Sequence, residues 1–148
     1  MLSGPAVVAC VLNLIGRTVD LPPIELVDVP PPEVSRKAEA FTRDGSRTIY
    51  LVTSSEVFRT AREVHGDCSF HATRKLASVI VHEKWHVDHG RDERGAYEAQ
   101  LMALRQMGAG PGTPVYAGVH KSMMAALKAQ AAAQPADLVA TARPAPSP

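Results

Sequence analysis

His82-Glu83-Lys84-Trp85-His86 sets two imidazoles four residues apart, with a carboxylate beside the first. On a helix, residues i and i+4 share a face, so both rings can reach one metal ion. The glutamate then lies where it can take a proton from a water on that ion, which is the chemistry of metal-assisted hydrolysis. A catalytic zinc takes three protein ligands and keeps a fourth position for water. Four side chains downstream could supply the third ligand: Asp88, His89, Glu93 and Glu98.

Geometry sorts these four. His89 shares the face of His82 and His86, but at a rise of about 1.5 Å per residue it sits about 10 Å along the axis from His82. Zn–N bonds of about 2.1 Å put ligand nitrogens only about 3.5 Å apart. One straight helix does not easily carry all three, so the third ligand should follow a turn, and Gly90 supplies that turn. Asp88 precedes the turn and points off the ligand face. Glu93 and Glu98 fall on the next helix, whose apolar stripe runs Tyr97, Leu101, Leu104, Gly108. Glu93 extends that stripe backward by one turn, and a carboxylate in line with a buried stripe needs a partner such as a metal. Glu98 instead lines up with Met102 and Arg105, toward solvent. Glu93 is the assignment and Glu98 the alternative; the plainer account of Glu93 is an acidic residue favoured in a first turn by the helix dipole.

The elements that must position these residues can be read from periodicity and breakers. Apolar residues over Val7–Leu14 predict a first helix ending near Gly16. Pro22-Pro23 breaks the chain, and Ile24 to Val29 reads as a short strand closed by three prolines. Val34–Arg43 and Arg47–Thr53 flank Asp44-Gly45, a hairpin turn signal because both residues tolerate positive φ. Ser54 or Ser55 caps a short helix over Glu56 to Val64, which Gly66-Asp67 ends. A longer helix starts near Ser69 or His71 and runs to about His89, under an apolar face of Leu76, Val79 and Ile80. Further helices follow over Asp92–Met107 and Val115–Ala133. The reading is an α+β domain over residues 1–133: a helix, a small mostly antiparallel three-stranded sheet, then the active-site, glutamate and C-terminal helices. Residues 134–148, rich in Pro and Ala, read as a mobile tail, which could cover a cleft and hold an enzyme latent.

Composition narrows the function classes. A chain of 148 residues, 45% hydrophobic and 21% charged, can bury its own core. A net charge of +1 argues against electrostatic binding of nucleic acid, and 5% aromatic residues argue against a base-stacking platform. No apolar run is long enough to span a bilayer. The run from Ala6 to Ile15 has neither a preceding basic residue nor an A-x-A-type site, so it does not read as a signal peptide. Cys10 and Cys68 make neither a disulfide framework nor a CxxC metal pair. A reducing, cytoplasmic setting is the simpler expectation.

His82-Glu83-x-x-His86 followed by Glu93-Arg94-Gly95-Ala96-Tyr97 resembles the gluzincin clan of zinc metallopeptidases, and the order of elements is similar to its minimal members, the minigluzincins. The likeness is carried by motifs over about residues 76–108 and by architecture before that. It implies that His82, His86 and Glu93 hold one Zn²⁺, with Glu98 as the alternative third ligand. Glu83 would act as general base on bound water attacking a peptide carbonyl, and the substrate would be a peptide or protein lying along a sheet edge, with Arg47–Thr53 as the candidate edge. The clan's pattern has Asp where this chain has Tyr97. Two other functions stay in view: a zinc-binding structural or regulatory module of the same fold with little proteolysis, and a metal-free helical interaction protein using Met123-Met124. Tyr116 and His120 share a stripe with Met123 and Leu127 and read as core rather than as oxyanion stabilisers. His65 and His71 read as structural or surface residues, and Trp85 as packing under its helix or lining the cleft.

Overall fold

Residues 1–16, 19–63, 68 and 71–133 are described by the computed structural model. The expected tail, His65, the Gly66-Asp67 break and the Ser69 start lie outside the described residues. Helix α1 spans Gly4–Ile15. Ser3 accepts a hydrogen bond from the Ala6 N–H at its start, and Gly16 closes it at φ 93°, a conformation open to glycine. Its buried side chains are Val7 and Val11.

Three strands follow: β1, Ile24–Val27; β2, Ala40–Phe41; and β3, Ile49–Val52. They lie in the order β1-β3-β2, with β1 parallel and β2 antiparallel to β3. The Asp44-Gly45 turn, with Gly45 at φ 77°, lies between β2 and β3 as expected. Arg47–Thr53 does not form a sheet edge, because β3 is the central strand. Its run of apolar and β-branched residues is that of a strand flanked on both sides; Ile49, Leu51 and Val52 are almost fully buried. The free edges belong to β1 and β2.

Helix α2 spans Glu56–Glu63, and Ser55 is its cap, accepting from the Phe58 N–H. Helix α3, His71–His89, carries the paired histidines and stops before Gly90 at φ 92°. Helix α4 spans Glu93–Gln106, with the Asp92 carboxylate accepting from the Arg94 and Gly95 N–H groups. Helix α5 spans Pro114–Ala133. The layout is the α+β arrangement read from the sequence, with the sheet mixed rather than mostly antiparallel.

Two apolar clusters hold these elements. Val7 and Val11 of α1, Ile49 and Leu51 of β3, Phe58 of α2 and Leu76 and Ile80 of α3 form the first. Leu101 and Leu104 of α4 with Val119 and Met123 of α5 form the second. Of the expected α5 stripe, Tyr116, Met123 and Leu127 join this second cluster, and His120 does not. His120 is exposed, and Val119 and Met123 fill the core. Tyr116 is half-buried, and its hydroxyl accepts from Arg105.

The reading of the cysteines is also corrected: Cys10 and Cys68 form a disulfide across a sequence separation of 58. Sequence spacing could not disclose it, because the pair meets only once α1 packs beside the start of α3. Among the described residues, no helix is long and apolar enough to cross a membrane.

Candidate metal centre

The lower half of α3 turns its polar face toward α4. His82 and His86 stand one turn apart, with their Nε2 atoms 3.2 Å from each other. The Gly90 turn reverses the chain, so the first residue of α4 faces the end of α3. Glu93 sits there, with its carboxylate oxygens 3.5 Å from His82 Nε2 and 3.2 Å from His86 Nε2. One donor atom from each of the three residues falls within 4.8 Å of the others. These separations match the spacing of about 3.5 Å that a tetrahedral zinc imposes on its ligands. The group could hold a metal ion.

The far sides of both rings are held. His86 Nδ1 donates to the Gly90 carbonyl at 2.7 Å, and His82 Nδ1 lies 3.0 Å from Oε1 of Gln100. The Tyr97 ring packs edge-on against His82 with centroids 4.5 Å apart. Because the Gly90 carbonyl can only accept, neutral His86 carries its proton on Nδ1 and turns a lone pair toward His82 and Glu93. A centre built of lone pairs and a carboxylate requires positive charge, from protons or from a cation.

Electrostatics separate the two glutamates. When the two imidazoles are protonated, their Nε2–H groups donate to Glu93, and these hydrogen bonds hold its carboxyl at about 2, against the opposing effect of its partial burial. Burial pushes the Glu83 carboxyl up, and the nearby His82 and His86 only partly offset it. Burial pulls the His86 imidazole down, but the Glu93 hydrogen bond and the Gly90 carbonyl outweigh it, and the net shift is upward.

Glu83 lines a cavity of about 280 Å³ together with His82, Tyr97 and Gln100, bounded by Glu39 and Ala40 of the β2 region and by Val119 of α5. A larger groove shares the walls at Lys37, Glu39 and Lys75. Lys75 pairs with Glu39 at 3.1 Å.

The other sequence candidates fall elsewhere. Glu98 is exposed and outside the cluster. Asp88 is occupied by Lys84 and Arg47. His89 donates to the Trp85 carbonyl, and its ring stacks on the Trp85 indole at 4.5 Å. Trp85 also packs against Gly95 of α4, where a Cβ would overlap the indole. His71 is exposed. Neither Tyr116 nor His120 lines the cavity beside Glu83.

Gln100 and Ser78 were not singled out from the sequence, although a signal was there. Gln100 lies seven residues, or two turns, beyond Glu93 on the same α4 stripe, and Ser78 one turn before His82 on α3. A polar residue at a stripe position calls for a partner, as Glu93 did. Compared with protein-family models, curated proteins and solved structures, the chain matches none.

Proposed function

We propose that this chain hydrolyses peptide bonds with one zinc ion held by His82, His86 and Glu93 and with Glu83 as general base. The support is the convergence of three donor atoms within 4.8 Å, with Glu83 in the wall of the adjoining cavity. A zinc ion in such a set polarises a carbonyl and lowers the pKa of water toward neutrality. Glu83 accepts the proton of the attacking water and passes it to the leaving amine. Its burial raises the carboxyl toward the range in which one group can both take and give a proton. The resemblance to gluzincins agrees with this division of roles.

The substrate in this reading is an extended peptide that adds to the free edge of β2. Glu39 and Phe41 direct their backbone groups toward β3, as the Val52 N–H bond to the Glu39 carbonyl fixes the register. Ala40 between them therefore directs its N–H and C=O to the free edge, beside the cavity that Glu83 lines. The Cys10–Cys68 disulfide favours work in an oxidising compartment rather than in the cytoplasm.

The test is cleavage of a library of unstructured peptides, read by mass spectrometry. Wild-type protein cleaves and Glu83→Gln loses about 10²–10⁴-fold in rate while keeping its zinc. Full activity in Glu83→Gln contradicts the role of Glu83. Zinc binding without any cleavage favours the structural-module alternative.

A further inference from the structure

Gln100 is 4% exposed and Ser78 is fully buried, so their polar atoms depend on protein partners, and their hydrogen bonds run in a line toward the metal centre. The Ser78 hydroxyl lies 2.6 Å from the Lys75 carbonyl, Gln100 Nε2 lies 3.2 Å from Ser78 Oγ, and Gln100 Oε1 lies 3.0 Å from His82 Nδ1. We infer that this Ser78–Gln100 relay is a positioning device that fixes the tautomer of His82 and so turns its Nε2 lone pair toward the metal centre.

The direction follows from one end. A carbonyl accepts and never donates, so the single Ser78 proton goes to Lys75. Ser78 Oγ can then only accept from Gln100, which places the amide NH₂ at Ser78 and the amide oxygen at His82. An amide oxygen only accepts, so His82 Nδ1 carries the proton. Neutral His82 is therefore protonated at Nδ1 and bare at Nε2. If the amide were reversed, its NH₂ would donate to Nδ1, and the His82 proton would sit on Nε2, where a metal has to bind. His86 needs no such relay, because the Gly90 carbonyl does the same task directly. An outer partner of this kind orients a metal-ligating histidine and raises its basicity; here the partner is a neutral amide whose own orientation is fixed by a serine one turn before the histidine.

The tautomer stands independently of any metal, whereas its consequence for affinity rests on the zinc reading above. The experiment takes both readings from the full chain. Long-range ¹H–¹⁵N spectra of metal-free protein, at a pH where the imidazoles are neutral, report which His82 nitrogen is protonated. Competition with a chromophoric chelator reports the zinc dissociation constant. Wild-type protein shows His82 protonated at Nδ1. Gln100→Leu and Ser78→Ala both populate the Nε2–H form, and Gln100→Leu weakens zinc binding about 10–100-fold. Gln100→Glu, still an acceptor at Nδ1, keeps the wild-type tautomer even if it costs thermal stability. An Nε2–H form in the wild type, or an unchanged tautomer in folded Ser78→Ala, overturns the relay. If His82 behaves as described and zinc does not bind, the relay holds and the zinc reading fails.

Discussion

Glu83 and Glu93 stand on adjacent helices and share the same pair of histidines as neighbours, yet their carboxyls are pushed in opposite directions. Glu93 is held at about 2 by hydrogen bonds from both rings in their protonated form, while Glu83 is raised by burial. Two like groups driven apart in pKa are suited to different tasks, one to stay ionised beside a cation and one to carry protons. Glu93→Gln should leave the chain with sub-stoichiometric zinc, whereas Glu98→Gln should keep its full complement, because Glu98 is exposed and outside the cluster; equal zinc in both variants would return the third ligand to question. The pH dependence follows from the same groups. A neutral imidazole ligates and a protonated one does not. Glu93 stays ionised down to about 2, so it does not limit binding. His86 lies above the ordinary imidazole value of 6.5, so zinc affinity should be full above that raised value and fall as pH drops through it. An affinity that stays flat between about pH 7 and pH 5 would contradict histidine ligation. The clustering of His82, His86 and Glu93 was legible because the histidines share a helix face at i and i+4 and Glu93 extends the apolar stripe of the next helix, with Glu98 as the alternative. Gln100 was not, because an amide earns notice only when its partner across the helix pair is known.

The α3 and α4 helices have to approach closely for Glu93 to reach both rings, and Gly95 permits it. The Trp85 indole occupies the space where a side chain at Gly95 would begin. Alanine favours a helix over glycine by about 1 kcal/mol, but here overpacking of about 1–3 kcal/mol should dominate. Gly95→Ala is expected to lower both the melting temperature and the zinc affinity, and Trp85→Leu in the same chain should restore part of each. A Gly95→Ala protein more stable than wild type with unchanged zinc affinity would mean that this contact does not set the helix spacing. Most helix ends were legible, since Ser55, Asp92, Gly16 and Gly90 act locally through caps and positive φ, whereas α1 begins at Gly4 under the Ser3 cap, ahead of the Val7 read from periodicity. Strand order was not. A run such as Ile49–Val52 carries the propensity for a strand but not its neighbours, and only the tertiary packing makes β3 central and leaves β2 at the edge. The same limit misread His120 on α5, where the neighbouring Val119 takes the core position beside Met123 and His120 faces out.

Across the whole molecule, the disulfide joins α1 to the approach to α3 and closes a long loop around the sheet. Closing such a loop restricts the unfolded chain and stabilises the fold by about 2–4 kcal/mol. Reduction, or Cys10→Ala with Cys68→Ala, should lower the melting temperature while leaving zinc stoichiometry unchanged at a temperature where the protein stays folded. A melting temperature indifferent to reductant would show that the bond contributes nothing to stability. The central claim concerns what the converging atoms of His82, His86 and Glu93 hold. The most direct measurement is zinc per chain by elemental analysis, on tag-free protein purified without added metal and again after dialysis against zinc at neutral pH. About one zinc per chain in the wild type, lost in Glu93→Gln, is the predicted result. A wild-type chain that holds no zinc after purification and takes up none on dialysis would contradict the account, and the hydrolytic reading would fall with it.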